Sequence, residues 1–218
     1  MIWQHLSQPW CSCLEQAWAA YCARSIPIGA VITDSAGRVI ARGRNRMLES
    51  SVQGYHLSGS RMAHAELNAL LALGECDVDP RVCVLYTTAE PCPMCICAIR
   101  MYHIGKVYYA SRDPVAGSIA LATATPFMRR GQIEIVGPQC DDLESLLLAM
   151  LTESLLQHES CWAELAETWD PACAPGIQLG RRLFESGELA RLRVDSASVD
   201  EVLDALAQQL ESVVYQGG

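Results

Sequence analysis

Two short stretches constrain this chain more than any others: His64-Ala65-Glu66 and Pro91-Cys92-Pro93-Met94-Cys95, each placed where an extended segment gives way to a helix. Cysteines three apart at a helix start lie about one turn from each other on the same side, so Cys92 and Cys95 can reach one ion. The unpaired N–H groups of a first helical turn favour thiolates, and His64 adds a third ligand of the type that Zn²⁺ takes. Three protein ligands leave the fourth tetrahedral position to water, the arrangement of a catalytic rather than a structural zinc. Cys97 competes for that position. Two places after Cys95 on a helix, however, it points to nearly the opposite face and is expected to pack in the core. Glu66 reads as a general acid/base, able to take a proton from a water whose pKa the metal has lowered. The plainer alternative is a helix-start carboxylate held by the dipole, and only the first role predicts loss of turnover on mutation.

The elements around these stretches alternate. Apolar residues at helical spacing predict a helix over 8–23, with Trp10, Leu14, Ala17, Trp18, Tyr21 and Cys22 on its apolar face. Ile28–Thr33 reads as a buried strand, Asp34–Gly37 as a turn, and Arg38–Asn45 as the returning strand, on which Asn45 has the parity opposite to Arg42, Arg44 and Arg46. Residues 47–61 read as a Ser- and Gly-rich loop with a movable tip. A helix over His64–Leu73 then ends at Gly74, followed by a strand over Val82–Thr88, a helix over Cys92–Met101 opened by Pro91, and a strand over Lys106–Ala110. Strand, helix and strand in that order predict a parallel crossover. Beyond it lie a strand at Ile133–Val136 and a helix over Asp141–Leu156 with acids in its first turn. Pro171–Gly176 reads as a break, with helices near 179–186 and over Val199–Val213.

Half of the 218 residues are apolar and 19% are charged, enough for a substantial core and against global disorder. No uncharged apolar run approaches the roughly 18 residues of a membrane helix, and Met1–His5 lacks the pattern of a secretory signal, so a cytoplasmic protein is expected. Eleven cysteines without a framework spacing read mainly as small buried hydrophobes in a reducing compartment. The net charge of −9 is concentrated late in the chain, where residues 151–218 hold four arginines against twelve acids. With one lysine in the whole chain, broad nucleic-acid binding is disfavoured. The charge shift and the break divide the chain into residues 1–157 and an acidic, mainly helical extension, 158–218.

The sequence resembles the cytidine deaminase-like superfamily, within it the branch of tRNA adenosine deaminases and guanine or cytosine deaminases. The resemblance runs from about residue 10 to 157 and rests on Ile26-Pro27-Ile28-Gly29-Ala30-Val31, Gly43-Arg44-Asn45-Arg46, Ala63-His64-Ala65-Glu66, Leu85 through Cys95, and Ile104-Gly105-Lys106-Val107 leading to Ala110-Ser111-Arg112-Asp113. It implies an α/β/α sandwich around a mixed five-stranded sheet, one zinc per subunit and a homodimer or larger assembly. It further implies that Asn45 hydrogen-bonds the base, while the backbone near Ala30 and Ala65 lines the pocket. The stretch from Asn45 to His64 is longer than is usual among the tRNA-acting members, and Pro93 is more reminiscent of free-base deaminases. Where tRNA-acting members end in a short basic helix, this chain continues with an acidic one.

Three functions are weighed. The leading one is zinc-dependent hydrolytic deamination of a free nucleobase, nucleoside or related amino-heterocycle, with zinc-bound hydroxide attacking the amino-bearing carbon and Glu66 carrying protons to the ring nitrogen and the departing amine. The second is adenosine-to-inosine editing of tRNA, for which Arg42, Arg44, Arg46, Arg129 and Arg130 would form a phosphate-binding face; against it, those arginines are solvated or pair with acids of the extension. The third is a non-catalytic zinc-binding scaffold. His5, His56, His103 and His158 have no partner at ligand spacing and read as surface or satisfied core residues. Trp162, Trp169 and Phe184 read as anchors of the extension on the main domain or on a second subunit, with a substrate lid as the lesser alternative.

Overall fold

Ala30, Val31 and Ile32 occupy successive positions of one strand and send their side chains alternately into two separate cores, so the sheet they belong to is covered on both faces. The computed structural model describes residues 3–50, 57–74 and 76–215, the last three by their backbone alone. The chain runs through α1 (Gln8–Cys22), β1 (Gly29–Thr33), β2 (Val39–Arg44), α2 (Ala65–Leu73), β3 (Val84–Ala89), α3 (Pro93–Met101), β4 (Lys106–Ser111), α4 (Pro126–Arg129), β5 (Glu134–Val136) and α5 (Asp141–Leu156). Four helices follow: α6 (Trp162–Trp169), α7 (Ala174–Ser186), α8 (Glu188–Val194) and α9 (Val199–Tyr215).

The sheet is mixed and five-stranded, in the order β2-β1-β3-β4-β5. β1 pairs antiparallel with β2 and β3, whereas β3, β4 and β5 are parallel, as the crossover through α3 requires. The β1–β2 hairpin is closed by Asp34, whose carboxylate accepts from the amides of Ala36 and Arg38. One core lies between the sheet and α2 and α3, built on Leu70, Leu73, Leu85, Ile99 and Val107. The other lies between the sheet and α1 and α5 and continues into α7, α8 and α9. Gly43 on β2 decides how closely α2 approaches the sheet: a Cβ there would collide with the Ala65 carbonyl. This contact sets the height of the α2 start, and with it His64 and Glu66.

The late helices dock on α5 through small residues. A Cβ on Gly176 would strike Ser145 and Leu148, and one on Gly180 would strike Ala149 and Thr152, so α7 rests nearly backbone to backbone against α5. Leu179, Leu183, Leu189 and Leu206 are fully buried in the core they share with Trp10 and Leu14. Each such leucine contributes about 1.5–3 kcal/mol of burial, so apolar packing rather than the acidic charge holds these helices down.

Several expectations need correction here. The segment 171–176 opens with a short 3₁₀ turn, Pro171–Cys173, that leads directly into α7, which starts at Ala174 rather than near 179. Pro175 is compatible with a first helical turn, whose N–H groups lack intrahelical partners, and Gly176 is a packing contact rather than a breaker. The helices α6 and α8 have no counterpart among the elements expected from sequence; Gly187, at φ 66, caps α7 and the chain continues at once into α8. In α3 the opening proline is Pro93, not Pro91, and Cys92 is the N-cap. All eleven cysteines are free, with Cys13, Cys83, Cys95 and Cys173 buried and Cys22, Cys97, Cys140 and Cys161 exposed, so burial is not their common lot. Trp162 is buried, but Trp169 and Phe184 are exposed and do not anchor the extension on the rest of this chain. The central residues of the 47–61 loop, 51–56 with His56 among them, lie outside the described residues. No helix among the described residues is long and apolar enough to cross a membrane.

Candidate active site

His64 and Cys92 are both N-cap residues with extended backbone, and neither spends its side chain on capping its own helix. Each therefore projects freely from a helix start, at the carboxyl end of β3 where open α/β sheets place their sites. The sulfurs of Cys92 and Cys95 lie 3.6 and 3.5 Å from His64 Nδ1, and the three ligand atoms all fall within 4.8 Å of one another. Tetrahedral zinc with ordinary Zn–S and Zn–N bonds separates a sulfur from a nitrogen by about 3.5 Å, so the donor set fits the ion in chemistry and spacing. Cys97 is exposed on the far side of α3; it is no rival ligand, yet it does not pack in the core as expected.

The three side chains shift one another's protonation. The Cys92 thiol is pulled down to about 4, chiefly by the hydrogen bond from Cys95 and then by His64. Cys95 is pushed strongly upward because Cys92 already bears the charge and because it is buried. His64 is raised by its hydrogen bond to Cys92. A dication at this point would let both sulfurs ionise together.

Glu66 is 4% exposed, and its two carboxylate oxygens accept from Thr87 Oγ1 at 3.2 Å and from Cys95 Sγ at 3.4 Å. Burial raises its pKa above the ordinary carboxylate value, with His64 opposing. Asn45 is buried on the face away from the arginines, as its strand parity predicts. Its Oδ1 accepts from Ser25 Oγ at 2.8 Å and from the Met47 amide at 3.0 Å, which leaves the Nδ2 donors for a ligand. Asn45, His64, Glu66 and Cys92 line one cavity of about 220 Å³. Ala30 and Ala65 are themselves fully buried, and their neighbours Ile28, His64 and Glu66 line the cavity.

The cavity also takes in residues that motif reading missed. Glu90 and Asp113 lie in its wall, as do Leu151 and Leu155 of α5 and Trp162 of α6. Glu90 and Asp113 fall inside stretches that carry the family resemblance but had no role assigned, and Trp162 reads from sequence as an anchor; nothing local distinguishes Leu151 and Leu155. Asn68, on α2, serves the scaffold instead, since its side chain bonds the Arg44 carbonyl and both backbone groups of Leu57 and so ties the loop back to β2.

The five arginines do not share one face, although Arg42, Arg44 and Arg46 line one pocket. Arg44 and Arg46 pair with Glu49, a local acid rather than one from the extension, while Arg42 sits on β2 and Arg129 and Arg130 shortly precede β5 at the opposite edge of the sheet. Acids of the extension pair instead with Arg112 and Arg181. Of the remaining histidines, His103 receives Arg100 Nη1 at 3.2 Å on its Nδ1.

Comparison with known proteins agrees with this geometry. The model of the cytidine and deoxycytidylate deaminase zinc-binding region matches residues 7–111. A tRNA(Ile)-lysidine synthase of Deinococcus radiodurans is 35% identical over 98 residues, covering 44% of this chain and 16% of that protein. A tRNA-specific adenosine deaminase of Agrobacterium fabrum is 38% identical over 96 residues, 43% of this chain and 57% of its own length. The guanine deaminase of Bacillus subtilis is 38% identical over 89 residues, 39% of this chain and 50% of its own. The chain thus spans about half the length of these two deaminases and far less of the synthase. A structure solved in a study of A-to-I editing by tRNA:A34 deaminases superposes with a TM-score of 0.51 at 29% identity, covering 62% of this chain and 94% of that one. Donor set, sandwich fold and matched region together make residues 7–111 similar to the zinc-binding region of cytidine and deoxycytidylate deaminases.

Proposed function

We propose that the chain hydrolytically deaminates a free nucleobase, nucleoside or related small amino-heterocycle. The observation that carries this reading is the cavity itself: Glu66, His64 and Cys92 open into it, and among the described residues that line it there is neither lysine nor arginine. A phosphate-bearing substrate would meet Glu90 and Asp113 there instead of counter-charges. At about 220 Å³ the cavity is smaller than the roughly 300–1,000 Å³ of drug-sized ligand sites.

His64, Cys92 and Cys95 would hold a zinc ion, whose Lewis acidity lowers the pKa of water towards neutrality. Glu66 accepts a proton from the attacking water and delivers it to the ring nitrogen, then takes the second proton from the hydroxyl newly bound to the ring carbon and supplies it to the departing amine. A C–O bond forms, the C–N bond breaks, and ammonia leaves without any change of oxidation state. Thr87 orients the Glu66 carboxylate, and burial raises its affinity for the proton it must carry. Asn45 donates to the heterocycle from a side chain fixed by Ser25 and Met47.

The tRNA-acting relatives favour a second reading, adenosine deamination in tRNA, but Arg44 and Arg46 are already paired with Glu49, and Arg129 and Arg130 lie near the opposite edge of the sheet. A silent scaffold would have no use for the buried acid beside the ligand cluster. The test is ammonia release by zinc-loaded protein from bases, nucleosides, nucleotides and unmodified tRNA, with Glu66→Ala as control. Release from a small molecule is expected; release from tRNA alone overturns the reading.

A further inference from the structure

We propose that Trp162 is a specificity-determining wall of this cavity, restricting it to a free heterocyclic base and excluding the sugar of a nucleoside. The inference rests on the small-molecule deaminase reading and narrows it. Trp162 lies well beyond the matched region 7–111, on the first helix after α5, yet it lines the cavity together with Leu151 and Leu155.

The indole is held from several directions. Its Nε1 donates to Asp113 Oδ1 at 3.3 Å, its backbone amide donates to Ser160 Oγ at 3.2 Å, and its ring packs among Leu148, Leu151, Ala166 and Ile177. Asp113 is itself fixed, because the same Oδ1 accepts from the amides of Val115 and Ala116. At the other end of α6, Asp170 accepts from Arg112 Nη1 at 3.2 Å, while that guanidinium also grips the buried Glu144. Residues 112 and 113, which follow β4 directly, therefore pin both ends of α6. The wall is part of the folded site rather than a loose appendage.

Its chemistry selects against a sugar. Trp162, Leu151 and Leu155 present a flat, apolar surface that suits a planar ring but cannot bond ribose hydroxyls. Each hydroxyl buried there without a partner loses its bonds to water. The cavity's small volume leaves little room for the sugar to turn elsewhere.

The test compares zinc-loaded wild type with Trp162→Ala and Trp162→Phe on matched pairs of base and nucleoside, reading the ratio of kcat/KM values beside zinc content and circular dichroism. Wild type should favour the base. Trp162→Ala should shrink that preference about tenfold or more, the scale of a reshaped apolar pocket, whereas Trp162→Phe should keep it within about threefold. Should the alanine variant fail to fold, binding by wild type and Trp162→Phe answers the question: a base detected calorimetrically should change wild-type indole emission, and the phenylalanine variant should lose that change. An unaltered kcat/KM ratio in folded Trp162→Ala, or base binding with no emission change from position 162, overturns the wall and leaves the deaminase reading standing. Base binding that perturbs Trp162 without ammonia release does the reverse. If no base binds in calorimetry, both fall.

Discussion

The ligand cluster and the C-terminal helices contribute to one cavity by opposite routes. His64, Glu66, Cys92 and Cys95 belong to two contiguous motifs at helix starts, where backbone geometry alone aims the side chains. Trp162 belongs to no motif and reaches the cavity only because α7 and α9 pack on α5 and α1, and because residues 112 and 113 pin α6. Chemistry that must be held to a fraction of an ångström is encoded locally, while the shape of the space around it is left to long-range packing. Changes in the first region should therefore abolish turnover without disturbing the fold, and changes in the second should disturb the fold or the selectivity while leaving zinc in place.

The sharpest division should come from Glu66→Gln. Turnover is expected to fall by roughly 10²–10⁴-fold with zinc content unchanged, read by ammonia release and metal analysis. Loss of zinc together with activity would mean that Glu66 supports the ligand cluster rather than the reaction.

Arg112→Ala should strike the other region. It strips the partner from Glu144, whose side chain is 4% exposed, and frees Asp170. Because Arg112 itself is partly exposed, the expected cost is about 2–3 kcal/mol in denaturant unfolding, below that of a fully buried pair. A silent substitution would show that the α6 anchorage is carried by apolar contacts alone.

A methyl group at Gly180 should wedge α7 away from α5. We expect Gly180→Ala to lower stability by about 1–2 kcal/mol, measured by thermal unfolding, with zinc affinity unaltered. Reduced zinc affinity would show that the two regions are coupled through α5.

The smallest effect concerns pH. Glu153 is 1% exposed, and its Oε2 finds no hydrogen-bond partner among the described residues, although Tyr21 and Gln157 donate to its Oε1. Burial raises its pKa above the ordinary 4.5. The folded chain thus holds this proton longer than the unfolded one, and stability present at low pH is lost as pH rises through the folded value. Glu153→Gln should gain about 1 kcal/mol over wild type at pH 8 and converge with it near pH 4, followed by melting across that range. A constant difference between the two proteins would remove titration as the cause.

Much of the first region is legible because helix and strand periods are local. The span of α5, the β3-α3-β4 crossover and the inward parity of Asn45 follow from patterns a few residues long. Cys97 is misplaced by such reasoning because a position opposite a ligand can face solvent as readily as core. The start of α7 is placed too late because Pro175 and Gly176 resemble punctuation when α5, the partner they fit, is out of view.

What the sequence by itself determined was the candidate metal centre: the residue types, their spacing and the helix starts that carry them, since capping geometry and ligand chemistry act within a turn or two of the chain. Only the tertiary structure decided what surrounds that centre. Trp162 meets Asp113 and the five arginines divide between opposite sheet edges because each contact spans dozens of residues and exists only once both cores have closed. No local pattern can record a wall whose two sides are brought together by burial elsewhere.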